Sequence, residues 1–283
     1  MTQSNRTITL GHSPDSDDAF MFYGLAERKI DTAGLEFEHI LRDIQTLNEW
    51  ATQGRLDITA ISVHAYAYVA DKYNLLTHGA SMGDGYGPMI VTRSETPVAS
   101  LNGRTIAIPG TMTSAALALD MFLRENSVSM EKTVVPFDRI MGRVKDGSVD
   151  AGLIIHEGQL THTKEGLHKV VDLGEWWVAS YDLPLPLGVN AIRRDLPDDL
   201  QQTLSRVLHD SIAYSLEHRA EGVAHAMRFA RDMDVETADR FVGMYVNEWT
   251  LDMGDKGRRS IELFLGRAAM EGLCPNALPL RFV

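Results

Sequence analysis

Apolar residues recur along this chain in two rhythms. Short apolar runs bounded by glycine, proline and polar turn formers alternate with stretches whose apolar positions fall three and four apart. The first rhythm suits buried strands and the second amphipathic helices. Strands are predicted at Thr7–Leu10, Leu35–Ile40, Asp57–Ser62, from Leu75 to Ala80, and at Met89–Thr92, Thr105–Ile108, Val134–Phe137, Val149–Ile155 and Val189–Ile192. Helices are predicted at Ala19–Glu27, Ile44–Thr52, Ala65–Tyr73, from Ala115 to about Arg124, and at Arg139–Asp146. From Pro197 onward the pattern is helical throughout. Leu200, Leu204, Val207, Leu208 and Ile212 form one stripe. Further helices follow at Ala220–Arg231, at Val235–Trp249 with Asp234 as cap, and at Gly257–Leu273. Alternating strands and helices followed by a helical tail predict an α/β fold with a helical C-terminal part.

One pattern occurs twice. Gly54-x-Leu-Asp57-xxx-Ile61 and Gly147-x-Val-Asp150-xxx-Ile154 each follow a helical segment, with the glycine suited to a left-handed helix end and the aspartate opening a strand. The duplication predicts two lobes of similar design. Loop-like connections at Arg93–Ala99 and Pro186–Ala191 place the crossings between them. Residues 1–95 and 190–283 would then form a large discontinuous lobe, and residues 96–189 a small one. By this correspondence Ser62 and His156 sit at matching strand ends across a cleft.

In open α/β sheets ligands bind beyond the carboxyl ends of strands. His156 directly follows the run Val149–Ile155, and a neutral imidazole there is a suitable general base. Glu157 is its ionisable neighbour and faces the other way if strand alternation persists. The loop Gly11–Asp18 joins a strand to a helix whose cap is Ser16 or Asp17, which makes a polar-ligand site or plain capping. The helix entry Pro109–Ala115 carries three hydroxyls, on Thr111, Thr113 and Ser114. They suit either a carboxylate ligand without arginine or lysine, or N-capping by Thr113. Ser81–Pro88 is a glycine-rich turn without the Lys-Ser/Thr of a phosphate loop, and reads as a flexible cleft edge.

Composition narrows the classes. The chain has 283 residues, is 44% hydrophobic, and carries a formal net charge of −12. Such an acidic chain is a poor partner for nucleic acid or anionic membrane. One cysteine, Cys274, excludes an intrachain disulfide and a cysteine-rich metal site. His162 and His168 make no metal spacing with His156 and no HExxH motif is present, so no metal is expected. No apolar run approaches the ~20 residues of a membrane span, and the first residues lack the apolar core of a secretory signal. A soluble cytoplasmic protein is expected.

A series of motifs occurs in order along the chain: His12-Ser-Pro-x-x-Asp-Asp-x-Phe20, Leu47-Asn-x-Trp50, Gly85-x-Gly-Pro88, Pro109-Gly-x-x-Thr113, Asp138-Arg-Ile140, Gly152-Leu-Ile-Ile-His-Glu157, Asp172-Leu-Gly-x-Trp-Trp177, Leu183-Pro-Leu-Pro-Leu-Gly188 and Pro279-Leu-x-Phe-Val283. Over essentially its whole length the sequence resembles the 1,4-dihydroxy-6-naphthoate synthases of the futalosine route to menaquinone, a family within the superfamily of type 2 periplasmic binding proteins. The resemblance implies two α/β lobes joined by two crossovers. It also implies a cofactor-independent lyase acting on cyclic dehypoxanthinyl futalosine, an acidic naphthoate precursor. His156 matches the family's base. Asn48, Ser62, Thr113 and Ser114 match its ligand contacts, and Asp18, which matches the aspartate that ends its first loop, is expected among the substrate-binding residues. That loop usually reads Ser-Pro-Cys-Pro-Asn-Asp; here Asp17 stands where asparagine is usual, adding a carboxylate that would repel an acidic ligand. Two other readings share the fold. One is a solute-binding protein for a small carboxylate, which the lack of a signal or lipidation cysteine disfavours. The other is the chorismate dehydratase of the same pathway, which the His156-containing run disfavours.

Overall fold

The computed structural model describes residues 7–230 and 234–283. In chain order its strands are β1 (Thr7–His12), β2 (Glu36–Leu41), β3 (Ile58–Ser62), β4 (Tyr73–Leu75), β5 (Ser81–Gly83), β6 (Met89–Thr92), β7 (Thr105–Ile108), β8 (Glu131–Val134), β9 (Ala151–Ile154), β10 (His168–Asp172) and β11 (Leu185–Arg193). They build two sheets. The first has the order β2-β1-β3-β11-β4, with β5 also on β11, and the second has the order β10-β6-β9-β7-β8.

The two sheets repeat one plan. β1 pairs in parallel with β2 and β3, as β7 does with β8 and β9. Antiparallel β11 lies beside β3, and antiparallel β6 beside β9. The repeated glycine–aspartate pattern accounts for this likeness. Gly54 and Gly147 both adopt positive φ, +64° and +82°, where helices Ile44–Thr52 and Ile140–Lys145 have just ended. Each aspartate then grips the threonine of the adjacent parallel strand. Asp57 Oδ2 accepts from Thr9 N (3.1 Å) and Thr9 Oγ1 (3.0 Å), and Asp150 Oδ2 accepts from Thr105 N and Oγ1, both at 2.9 Å. In each case the aspartate's own N–H donates to the threonine hydroxyl.

β3 and β9 are buried along their whole length, as their unbroken apolar runs require. One face of the first sheet packs Ile8, Leu10, Ile58 and Ile192 against Leu204, Val207, Leu208 and Ile212 of helix Asp198–Glu217. Another core runs from one sheet to the other. It joins Tyr66, Met82 and Leu185 to Ile106, Leu153 and Trp177. Trp177, on helix Leu173–Tyr181, is fully buried against Tyr181 and Phe264, and the last helix Gly254–Met270 supplies Phe264.

Several sequence expectations shift. β6 belongs to the second sheet, so the chain steps between sheets at residues 84–88; Arg93–Ala99 lies within the second sheet's own connections. The return falls at residues 173–184, since all of β11 is paired in the first sheet. Its prolines had suggested a loop, but a register shift between Pro186 and Gly188 accommodates them. Val63–Tyr66 is the only helical part near the expected Ala65–Tyr73, because Tyr73 is drawn into β4 and donates its hydroxyl to Leu56 O at 2.8 Å. The expected strand Leu75–Ala80 is replaced by β4 before it and β5 after it. The strand expected at Val134–Phe137 lies earlier, as β8, an exposed edge strand with no apolar signature. The helix Ala19–Glu27 divides into Ser16–Met21 and Tyr23–Ala26. Arg219–Ala226 occupies the expected Ala220–Arg231, of which Arg231 lies outside the described residues. Asp234 caps Val235–Tyr245 by accepting from Thr237 N. Among the described residues no helix is long and apolar enough to cross a membrane.

Asp57 is buried, with only 10% of its side chain exposed, whereas 35% of the Asp150 side chain is exposed. Asp57→Ala is therefore expected to destabilise the fold by about 3 kcal/mol, and Asp150→Ala by about 1–2 kcal/mol. Denaturant unfolding followed by tryptophan fluorescence checks both the loss and the order.

Candidate active site

Beyond the carboxyl ends of β1, β3, β7 and β9 lies a cavity of about 120 Å³. The first sheet contributes Ser13, Asp15, Asp17 and Asp18 after β1, Ala60–Ser62 from β3, and Leu187–Asn190 from β11. The second contributes Thr113, Ser114 and Ala115 after β7, and Ile155 and His156 after β9. The expected residues His156, Ser62, Thr113, Ser114 and Asp18 thus meet in one place.

His156 reaches it through a bend in the backbone. Eight residues beyond Gly54 is Ser62, and eight beyond Gly147 is Ile155, so the repeat aligns Ser62 with Ile155 rather than His156. In a continuing strand Ile155 and His156 would face opposite sides. β9 instead ends at Ile154, and His156 takes φ +59°, a left-handed conformation rare for a side-chain-bearing residue. Both residues then line the cavity, while Glu157 starts the helix Gly158–Thr161 and is not among the lining residues. The His156 ring packs edge-on against Phe137, with centroids 4.6 Å apart. Its Nδ1 is 3.3 Å from Asp15 Oδ2, and its Nε2 is buried with no hydrogen-bond partner.

Asn48 stands behind the cavity wall. It is fully buried; its Nδ2 donates to Ser62 Oγ (3.0 Å) and Met112 O (3.3 Å), and its Oδ1 accepts from Ser62 N (2.9 Å). It therefore ties the first sheet's wall to the loop after β7. Gln45 adds a second tie by accepting from Met112 N at 3.1 Å. The hydroxyls at the helix entry are also engaged. Thr113 Oγ1 donates to Gly110 O and caps the helix Ser114–Glu125 by accepting from Ala116 N. Ser114 Oγ donates to Leu187 O and accepts from His64 N.

The first loop carries the strongest electrostatics. Burial, then the charges of Asp18 and Asp15, push the Asp17 carboxyl up to about 8. Burial raises Asp18 to about 7, although the Ser13 N–H, 2.6 Å from its Oδ2, favours the charged form. Asp15 was legible only as a turn former, Asp17 as a candidate cap and as a departure from the family loop, and Gln159, Tyr245 and Asn190 carried no motif signal at all. Tyr245 donates to Gln159 Oε1, and both line the cavity. Asp15, Asp17 and His156 each offer one atom within 4.8 Å of the others, a set able to hold a cation. Sequence spacing could not reveal it, because its members come from loops after different sheets.

The fold and cavity define a two-sheet α/β protein of the binding-protein type, with a histidine and carboxylates in the cleft. A family model described as menaquinone biosynthesis matches residues 8–270. The chain is 39% identical over 274 residues to a 1,4-dihydroxy-6-naphtoate synthase of Thermus thermophilus, covering 96% of this chain and 98% of that one. It is 36% identical to the enzyme of the same name from Streptomyces coelicolor, covering 96% of each. A crystal structure of an Archaeoglobus fulgidus protein superposes with a TM-score of 0.90 at 46% identity, over 94% of this chain and 98% of that one. An alkanesulfonate-binding protein of Xanthomonas axonopodis superposes at 0.73 with 13% identity, over 98% and 96%, and shares the fold alone. The chain belongs to the menaquinone-biosynthesis family, and it is an enzyme of the 1,4-dihydroxy-6-naphthoate synthase group within it.

Asn48→Ala removes three buried hydrogen bonds and leaves Ser62 N–H without its acceptor. A loss of about 2–3 kcal/mol in unfolding free energy is expected, with the midpoint read by circular dichroism.

Proposed function

We propose that this chain converts cyclic dehypoxanthinyl futalosine to 1,4-dihydroxy-6-naphthoate, with His156 as general base. The observation carrying this reading is the buried, unpartnered His156 Nε2 in a cavity between two sheets, with the Asp15 carboxylate at its other nitrogen. A carboxylate beside Nδ1 favours the tautomer with the proton there and leaves the Nε2 lone pair to take a proton from carbon. Aromatisation of the ring drives the cleavage, so the chemistry asks for proton transfer and orientation. The names of the curated relatives support the product.

The substrate is an acid, and no lysine or arginine lines the cavity among the described residues. The positive end of helix Ser114–Glu125 and the Ser62 hydroxyl, which accepts from Asn48, are the groups suited to its carboxylate; Thr113 and Ser114 would join them by turning their hydroxyl protons from Gly110 O and Leu187 O to the ligand. Asn48 acts by holding Ser62 in place, and Asp18 by fixing the Ser13 loop. The two sheets with their attached helices form the two lobes. Their boundaries follow the sheet-to-sheet steps at residues 84–88 and 173–184 rather than 95 and 190.

Incubation with cyclic dehypoxanthinyl futalosine, followed by mass spectrometry, should yield the dihydroxynaphthoate. Tight ligand binding without product would indicate a solute-binding protein, and conversion of chorismate would indicate the dehydratase. His156→Asn is expected to lower turnover by at least about 10²–10⁴-fold while leaving binding and folding intact. The comparison at matched folded concentration is Glu157→Gln, which should keep most activity; the reverse outcome would reassign the base. Ser114→Ala and Thr113→Val are expected to weaken naphthoate binding by about 1.5–3 kcal/mol in calorimetry. Unchanged affinity in both would confine these hydroxyls to capping and bridging.

A further inference from the structure

His156 lines the cavity on a backbone turned to φ +59°, a conformation that persists only where surrounding contacts enforce it. Asp15 and Phe137 meet its ring. The contacts that hold the turn itself converge on Gln159, three residues further on, in helix Gly158–Thr161. Gln159 is buried and lines the same cavity. Its backbone N–H donates to His156 O at 3.1 Å and closes the turn. Its carbonyl accepts from Nδ1 of buried His162 at 3.0 Å. Its side-chain Oε1 accepts from the Tyr245 hydroxyl at 2.5 Å. The first two bonds are local to the segment after β9, and the third is not. Tyr245 ends helix Val235–Tyr245, which packs on helix Ser16–Met21 and on β5, both attached to the first sheet. The Tyr245 ring packs edge-on against Phe241, with centroids 5.3 Å apart, and against Tyr86 at 5.7 Å; the Tyr86 hydroxyl donates to Met244 O. The phenol therefore reaches Gln159 from a fixed direction, out of the opposite half of the molecule.

We propose that Gln159 and Tyr245 are positioning residues for the reaction: Tyr245 pins the Gln159 side chain, and Gln159 holds the left-handed turn that presents His156 to the substrate. This rests on the reading of His156 as the general base. Proton abstraction is steep in position, and a misplacement of about 1 Å can cost about 10²-fold in rate. A residue held at its amide, its carbonyl and its side chain has little freedom to swing. Without the Tyr245 bond the turn keeps only bonds within its own segment, and it can relax toward ordinary negative φ, carrying the imidazole with it. Asp15 and Phe137 restrain the ring and not the backbone beneath it.

The bond also ties the alignment of the base to the closeness of the two sheets on this side of the cavity, since its donor belongs with one sheet and its acceptor with the other. Both residues line the cavity, so each could instead touch the substrate directly. The two roles separate in the kinetics. A positioning pair acts on kcat through His156, whereas a substrate contact made equally in the ground and transition states acts on KM.

The test compares wild type, Tyr245→Phe, Gln159→Met and the double variant on cyclic dehypoxanthinyl futalosine at matched folded concentration. Tyr245→Phe keeps the ring and its packing and loses only the donor. Gln159→Met keeps the chain length and the backbone bonds and loses only the acceptor. Each should lower kcat by about 10- to 10²-fold with KM within about threefold of wild type. Both remove the same bond, so the double variant should lose no more than the worse single one, where independent roles would multiply. A readout independent of activity comes from NMR of protein carrying ¹³C-labelled histidine, with the His156 ring signals assigned by their loss in His156→Asn. The His156 ring should show its contact with the Phe137 ring in wild type and lose it in Tyr245→Phe, while the other histidine signals stay in place. Should Gln159→Met fail to fold, Tyr245→Phe carries the test by its kinetics and its spectrum. The proposal is overturned if Tyr245→Phe keeps kcat within about threefold of wild type, whether or not KM rises. It is equally overturned if the two losses multiply in the double variant, or if the His156–Phe137 contact is unchanged in Tyr245→Phe. A wild type that forms no naphthoate, or a His156→Asn variant with full turnover, would instead sink the reading on which the proposal rests.

Discussion

Asp57 and Asp150 stand just before β3 and β9, and the placement of the cavity-lining residues beyond those strands depends on them. Each carboxylate bridges two buried parallel strands by gripping a threonine's amide and hydroxyl at once. Parallel strands cannot be joined by a tight hairpin, so their register must be set by something other than a turn. Here a carboxylate on the residue just before the strand sets it. Fixing the start of β3 and β9 fixes where each strand ends, and therefore which residues emerge at the cleft. Ser62 and Ile155 are delivered by the same device used twice, and the left-handed turn at His156 brings that residue in beside them.

The device was legible because it is local. A glycine obliged to positive φ, an apolar residue and an aspartate lie within four positions, and their recurrence predicted two sheets of one design. The buried parallel strands were legible for a similar reason, since a strand covered on both faces must be apolar throughout. Edges were not. β8 is exposed along its length and β5 is three residues of a glycine-rich turn, so neither leaves an apolar trace. The crossing positions were displaced because prolines in Leu183–Gly188 resemble a loop, while their strand absorbs them through a register shift. At the site, helix entry and strand end could be read from the chain, but partners from different sheets could not. Nothing near Asp15 in sequence announces His156, and Asn48 gave no sign that it would stand behind Ser62 rather than in the cavity.

The site itself is an exercise in restraint over charge. His156 departs from regular strand geometry at some conformational cost, of order 1–3 kcal/mol for such positions, and the surrounding contacts with Asp15 and Phe137 hold it there. The first loop concentrates carboxylates that a bare hydrophobic wall could not hold ionised together. Burial there raises the Asp17 and Asp18 carboxyls above the usual carboxylate range.

The cation-free lining has a further consequence for how a ligand arrives. An anion approaching a protein of net charge −12 meets repulsion out to roughly the screening length, about 8 Å at physiological ionic strength. No lysine or arginine among the described lining residues pulls it through that barrier. Encounter is thus governed by how well dissolved salt screens the surface. Association should quicken as ionic strength rises, the opposite of the behaviour of enzymes that draw acidic ligands in with arginine and lysine.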